Sequence, residues 1–561
     1  MNSLADIKAD GKSGFRIFLL VLFALSLFMV CRLGPVSTYA GHDYFFNTGR
    51  FNVLIQALKS GNYPVYMDYN ALGGYGYFTK GFYPDLVLLP FAALGIFTGT
   101  LVAYDAMIFT MTFLCGLFMF HAVNGVFKNT FVASVSAILY SFSAYRLFDW
   151  YNRAALGESL SFTFLPVVFL GLYRIIKGDH RKWYLLTIGY SLLVYTHLLS
   201  SFLAFITLVL IVVVCYRPLV KEPERIACLA LAAIVALPIV SSYMLTLLEQ
   251  MFSNTFYYSV KENITGQTKL GLEDLVRGAL SGILYSKTEN MAGMGPLLVC
   301  LPLLRLFVKE RTPYIKIADF CVLIGIILLV SASAVFPWGR LPLGFIQFPW
   351  RFYEFITFFF AVSGAYYLSL VLKTRKHRII AGAGVISFTL LVFVVSDHNY
   401  KYWQSLAMSE APHWFTGAAS VDNEYYLGGL EYLPVKTPSH NYIHQRGDTV
   451  ISERAKTEVS NFQRKEGVTS FDIKTGSPDM IEVPLVYYKG YKATLDEKEL
   501  LVEESDYGLI RIPVNGSGKV EIYYAGTTLQ KAGGYISVLS IPGLIVYVFV
   551  FGKKRGKIKE Q

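Results

Sequence analysis

Apolar runs long enough to cross a bilayer recur along this chain, and short clusters of lysine and arginine punctuate them. Hydrocarbon offers the backbone no water, so such runs must satisfy their own hydrogen bonds as helices. The first runs are Phe15 to Leu33, Leu101 to Val123, Phe131 to Phe148, Ser161 to Ile176 and Trp183 to Thr196. A stretch opening at Phe202 follows, then Ile226 to Tyr243, Met294 to Phe307 and Ile317 to Val335. Phe352 to Leu372, Ile379 to Val395 and Tyr535 to Phe551 complete the series. This pattern predicts a polytopic α-helical membrane protein with about twelve transmembrane helices. Leu86 to Thr98 is short and interrupted by Pro90 and Gly95, so it reads as a re-entrant or interfacial element.

The basic clusters set an orientation. Lys8, Lys12 and Arg16 precede the first run, and "KGDHRK", "KERTPYIK", "KTRKHR" and "KKRGK" fall between or after later ones. Placing them all inside puts both termini in the cytoplasm of a multi-pass cell-membrane protein. External loop one, 34–85, then lies outside. Counting Leu86 to Thr98 as a full span would reverse every later loop and expose those clusters. The net charge of +11 therefore belongs to inner loops, and no nucleic-acid partner is expected. All six cysteines sit in or beside apolar runs, so neither a disulfide framework nor a CxxC metal site is expected. "STYA" resembles a cleavage site, but a retained first helix suits the orientation. Three regions emerge: a transmembrane domain at 1–396, an extracytoplasmic β-rich domain at 397–530, and a last helix with a basic tail at 531–561. The middle region carries strand-like runs ("DMIEVPLVYYKGYKATL", "YGLIRIPV", "KVEIYYAGT") and an Asn515–Gly516 turn.

In this orientation several polar groups converge on the outer face. His42 and Asp43 follow the first run and precede an amphipathic piece, Phe46 to Leu58. A glycine- and aromatic-rich stretch then offers Tyr75 and Tyr77 to sugar rings or headgroups. Arg153 and Glu158 lie in "YNRAALGES", His197 in "YTHLLS", and Arg351 with Glu354 in "IQFPWRFYEF". A carboxylate serves as general base or metal ligand, and an arginine fork suits a phosphate. Each residue also has a plainer role. Arg351 can anchor at headgroups, Arg153 and Glu158 can pair with each other, and His197 can hold a helix end. P-loop, GxSxG and HExxH motifs are missing, so ATP hydrolysis of the soluble type and common hydrolase chemistry gain no support.

"GHD" with "GGYGYFTKGFYPD" resembles the first loop of the GT-C membrane glycosyltransferase superfamily. "RAALGE" and "QFPWRF" resemble bacterial GT-C-like proteins, including the family described as 6-pyruvoyl-tetrahydropterin synthase-related. "EYLPVKTP" and "VPLVYYKGYKATLD" are similar to the β-domain that closes such proteins. The resemblance implies a glycosyltransferase using a polyprenyl-phosphate-linked sugar donor and a cell-envelope glycan or glycopolymer acceptor. An outward site has no supply of nucleotide sugars, which agrees. The resemblance further implies that Asp43 is the base and Glu158 the second-loop acidic residue, with Arg351 on the lipid phosphate. Arg153, His42, His197, Tyr75 and Tyr77 would complete substrate binding. A divalent cation, Mg or Mn, would fall on Asp43 and Glu158. One departure is Asn47, where relatives often carry histidine; an amide cannot exchange a proton near neutral pH. Two other classes are a lipid-linked saccharide flippase or transporter and a non-catalytic envelope assembly factor. The flippase would want ionisable groups deep in its spans.

Overall fold

The computed structural model describes residues 4–33, 43–260, 265, 267–283, 292–410 and 431–553. Among the described residues eight helices are long and apolar enough to cross a membrane. They are Lys12–Cys31, Thr100–Phe127, Thr130–Arg153, Pro223–Ser253, Pro313–Ala332, Pro349–Val371, Arg375–His398 and Thr528–Val550. The chain is a multi-pass helical membrane protein. Four apolar helices are shorter: Leu89–Thr98, Leu165–Ile176, Leu198–Val214 and Pro296–Phe307. The expected twelve crossings thus become eight full-length helices, with shortened helices at the other expected runs. At 1.5 Å per residue a twelve-residue helix spans about 18 Å, against a hydrocarbon core of about 30 Å. Local chemistry explains the shortening. Pro302 lies inside Pro296–Leu303, which tightens into a 3-10 turn at Leu304–Phe307. The chain also breaks at His197, whose extended backbone starts the helix Leu198–Val214.

Burial separates centre from rim. Thr130–Arg153 and Pro349–Val371 are 83% buried along their most apolar windows, whereas Thr528–Val550 is only 11% buried. The first two form the middle of the bundle, and the last lies at its rim, packed on Pro223–Ser253. Leu89–Thr98 packs on Tyr44–Ser60 and on the start of Thr100–Phe127. Gly95 lets Ile55 approach: a Cβ there would lie 2.5 Å from the Ile55 methyl.

The β-rich region holds two antiparallel sheets. One has the order β1-β4-β8-β7, from Ile451–Ser452, Asp479–Val486, Leu509–Val514 and Glu503–Glu504. The other has the order β2-β3-β9-β5-β6, from Thr457–Lys465, Val468–Thr475, Ser517–Tyr524, Tyr491–Leu495 and Lys498–Leu500. Alternation along the strands buries Ile481, Val483, Ile510 and Ile512 from one sheet and Phe471, Ile473, Val520 and Ile522 from the other. The Asn515–Gly516 turn carries the chain from one sheet to the other instead of closing a hairpin. The helix Arg375–Glu410 continues past residue 397, and the strands begin only at Ile451.

Loop one is the joint between the two parts. Its aromatic stretch passes under the β-rich region, where Val486 N–H donates to Tyr75 O at 2.8 Å. Phe78 stacks on Tyr488 at 5.3 Å, and Phe82 stacks on Tyr432 at 4.7 Å. Gly81 is glycine because a Cβ there would sit 1.8 Å from the Phe78 ring.

Candidate functional site

The residues picked out on separate loops meet at one end of the two central helices. Thr130–Ser141 and Ala144–Phe148 lead into a π turn, Asp149–Arg153, and Ala154 then takes φ 50° in the left-handed region. A non-glycine residue rarely adopts that conformation, and wide turns of this kind gather at functional sites. The turn brings Arg153 back onto Asp149 and forward onto Glu158, at the start of Leu156–Ser161. Arg153 Nη1 donates to Asp149 Oδ1 and to Glu158 Oε2, both at 2.7 Å. Arg351, from the turn Pro349–Phe352, reaches Glu158 Oε2 with Nε at 3.3 Å and the Ile346 carbonyl with Nη1 at 2.7 Å. Its neighbour Gln347 is a second left-handed residue, at φ 61°. Phe348 lies between the two arginines, its ring centre 6.0 Å from Arg153 Cζ and 5.1 Å from Arg351 Cζ.

Glu158 is 1% exposed, and both its oxygens are occupied. Tyr145 donates its phenol to Oε1 at 2.5 Å, while the arginines hold Oε2. Burial alone would raise this carboxyl. Arg153, Arg351, His197 and the Tyr145 phenol outweigh it, so Glu158 falls to about 2 and stays ionised. Pairing between Arg153 and Glu158, the plainer sequence reading, is present. Arg351 is buried in the same network rather than spread at a headgroup surface.

His197 caps Leu198–Val214. Its Nδ1 accepts from Ser200 N–H at 3.3 Å and lies 2.8 Å from Ser200 Oγ. An accepting Nδ1 places the proton of the neutral ring on Nε2. Burial drives this imidazole down to about 3, with repulsion from Arg351, Arg153 and Arg50 opposing the pull of Glu158. Ser200 Oγ goes on to Glu354 Oε2 at 2.7 Å, and Ser161 Oγ donates to Glu354 Oε1. Glu354, which the sequence placed merely beside Arg351, is 0% exposed and ties three segments together.

Loop one covers this network. Asp43 N–H donates to Arg153 O at 2.8 Å, and Asn47 Nδ2 donates to Ala154 O at 2.9 Å and to Asp43 O at 3.0 Å. Asn47 Oδ1 accepts from Arg50 Nε at 3.1 Å. The Asn47 amide is thus a brace for the strained Ala154 peptide. Beside it Arg50 lies 4.7 Å over the Tyr83 ring and 4.0 Å from Asp85, which also pairs with Lys80 at 3.0 Å. Burial lowers Lys80 against the pull of Asp85. Arg50, Lys80, Asp85, Asp149 and Tyr145 were not singled out from the sequence. A buried cation inside a glycine-aromatic loop was the one available signal.

The other expected residues separate. Tyr75 and Tyr77 are 1% exposed and bonded toward the β-rich region, Tyr75 OH to Gly447 O at 2.8 Å. Tyr77 OH accepts from Tyr432 N–H at 3.3 Å, so these rings join two parts of the protein and offer no open face to a sugar. His42 lies outside the described residues. A divalent cation does not suit Glu158, whose oxygens already face a phenol and two guanidiniums. Among the described residues no group of three His, Cys, Asp or Glu side chains is placed to share an ion. Arg146 is an additional buried cation, bonded to Ser141 O at 2.8 Å and Thr112 Oγ1 at 3.1 Å.

No protein-family profile matches the chain. A curated protein of Lactococcus lactis subsp. cremoris (strain MG1363), named only as uncharacterized, is 22% identical over 598 aligned residues, covering 95% of each chain. Among solved structures, the arabinofuranosyltransferase AftD from Mycobacteria is similar at a TM-score of 0.35 and 15% identity. That match covers 69% of this chain but only 27% of that one.

Proposed function

We propose that the protein is a membrane glycosyltransferase that moves a sugar from a polyprenyl-phosphate carrier to a glycan on the extracytoplasmic side. The observation that carries this reading is Asp43, docked through its backbone onto Arg153 beside the buried Glu158–Arg153–Arg351 network. The backbone of Asp43 is thereby held beside the buried guanidiniums where loop one joins the ends of the central helices. The resemblance of loop one, "RAALGE" and "QFPWRF" to GT-C enzymes points the same way.

In this reaction Asp43 accepts the proton of an acceptor hydroxyl as its oxygen attacks the anomeric carbon. The bond from that carbon to the carrier phosphate breaks, and the phosphate leaves as a monoester. Arg351 and Arg153, with Arg50 and Lys80 on the loop-one side, supply the positive field that receives it. Glu158 holds the first two arginines in place, and neutral His197 adds no competing positive charge.

Asp43→Asn keeps shape and removes proton acceptance. Transfer from a purified lipid-linked donor in detergent should fall about 100- to 10,000-fold, with expression and thermal stability nearly unchanged. Transfer at the normal rate in this variant would refute the mechanism. A lipid-linked saccharide translocator is the second reading. It is favoured by Arg146, fully buried with no carboxylate at ion-pair distance among the described residues. Detergent removes the two compartments a translocator needs, so transfer measured there belongs to the enzyme alone.

A further inference from the structure

A groove of about 1060 Å³ runs between loop one and the β2–β3 turn of the β-rich region. Single small-molecule sites fall at roughly 300–1,000 Å³, so this space suits a ligand of several rings. Its floor is the helix Tyr44–Ser60 and the start of Thr100–Phe127, tied by Thr100 Oγ1 donating to Asn52 Oδ1 at 2.9 Å. Its far wall is the turn Lys465–Thr469. Gly467 there has φ 83°, and a Cβ would lie 2.9 Å from the Tyr69 ring, so ring and turn close on each other at one side.

The lining chemistry is that of a polyol site. Thr48, Asn52, Asn70 and Thr100 contribute hydroxyls and amides, and the half-buried Tyr69 contributes an aromatic ring. Amides and hydroxyls match sugar hydroxyls in both directions, and rings match the apolar faces of pyranoses. Formal charges in the lining cancel: Asp68 and Glu466 stand against Arg464 and Lys465. Arg464 is further committed to Asp448 and to the Pro484 carbonyl, the latter at 2.9 Å. The groove has no positive field to hold a string of phosphates or uronates. Tyr44, the residue after Asp43, is part of its lining.

We infer that this groove binds a neutral oligosaccharide segment and feeds its end toward Asp43. The assignment rests on the transfer reaction above, because it makes the groove the acceptor site. The test uses the full-length protein in detergent micelles, probed with short neutral oligosaccharides, uronate oligosaccharides and glycerol-phosphate oligomers on one array. Wild type should retain neutral chains. Tyr69→Ala, and Lys465→Trp as a plug on an exposed position, should each weaken that binding at least about tenfold. Lys474→Glu, an exposed charge reversal on the same sheet but outside the groove, should leave it within about twofold. In the transfer assay Lys465→Trp should raise the acceptor KM about tenfold without moving the donor KM. Retention of anionic chains in preference, no retention of any glycan, or retention indifferent to Tyr69→Ala and Lys465→Trp would overturn the assignment. Displacement of the glycan by anionic phospholipid vesicles would overturn it too, and mark the groove as a membrane contact. Neutral chains lost from the groove variants, beside a wild type that transfers nothing, would retain the groove and discard the reaction.

Discussion

Asn47 makes three bonds that no other side chain of its size can make together. Two N–H groups reach the Asp43 and Ala154 carbonyls, and one oxygen receives Arg50. Asn47→Ala strands the buried Arg50 Nε–H and removes one of two donors from each carbonyl, which costs about 1–3 kcal/mol. Asn47→Asp should cost more, because its carboxylate would face both carbonyls with no hydrogen to give. Thermal unfolding in detergent should rank wild type above alanine above aspartate; aspartate at or above alanine would contradict the brace. The pH response follows from Glu158 and His197. Between pH 6.5 and about 3 an unfolded chain protonates His197 and the folded one does not. Below 4.5 the unfolded chain also protonates Glu158, whereas the folded one holds it ionised to about 2. For these two groups the unfolded state binds more protons in both windows, so what they contribute to stability falls as pH falls. The unfolding temperature of wild type minus that of His197→Gln should therefore shrink as pH falls from 6.5 toward 3; a constant difference would contradict the assignment.

At the level of elements, the π turn Asp149–Arg153 and its left-handed exit decide where the charges meet. Ala154→Gly removes the Cβ that makes φ 50° costly and should stabilise by about 1 kcal/mol, offset by the added freedom of the unfolded chain. A nearly unchanged unfolding temperature with unchanged donor affinity is the expected result; a large drop would show that the methyl is needed for packing. The full-length helices were legible from hydropathy, and so were the strands Asp479–Val486, Leu509–Val514 and Ser517–Tyr524. The network was legible in its members more than in its wiring. Arg153, Glu158, His197 and Arg351 each stood out as polar groups at the ends of apolar runs. That Arg351 reaches Glu158 across 193 positions is a tertiary fact that no local period encodes. Glu354 was noted beside Arg351 without its two serine partners, and Asp149 was hidden because a carboxylate near a helix end looks the same whether it meets water or a guanidinium. Tyr75 and Tyr77 were misjudged for a related reason: an aromatic belt and an aromatic joint have the same composition.

At the scale of the molecule, the basic clusters predict which side each part occupies. Cysteines introduced near Lys59 and Lys474 should react with an impermeant thiol reagent on intact cells, and one near Lys376 should not. Labelling only the Lys376 site would reverse the orientation and move the Asp43 network to the cytoplasmic side. The aromatic joint has a consequence of a different sort, in time. Tyr75 is synthesised 372 positions before Gly447, the residue its phenol is bonded to. At about 5–20 residues per second, the ribosome takes roughly 20 to 75 s to deliver that partner. For that interval Phe78, Phe82 and their neighbours have no β-rich surface to rest on, and the membrane interface or a chaperone must shelter them. A chain cut before Tyr432 would never end that wait, and its first loop would remain a sticky aromatic surface on a bundle that also lacks its last helix, Thr528–Lys553.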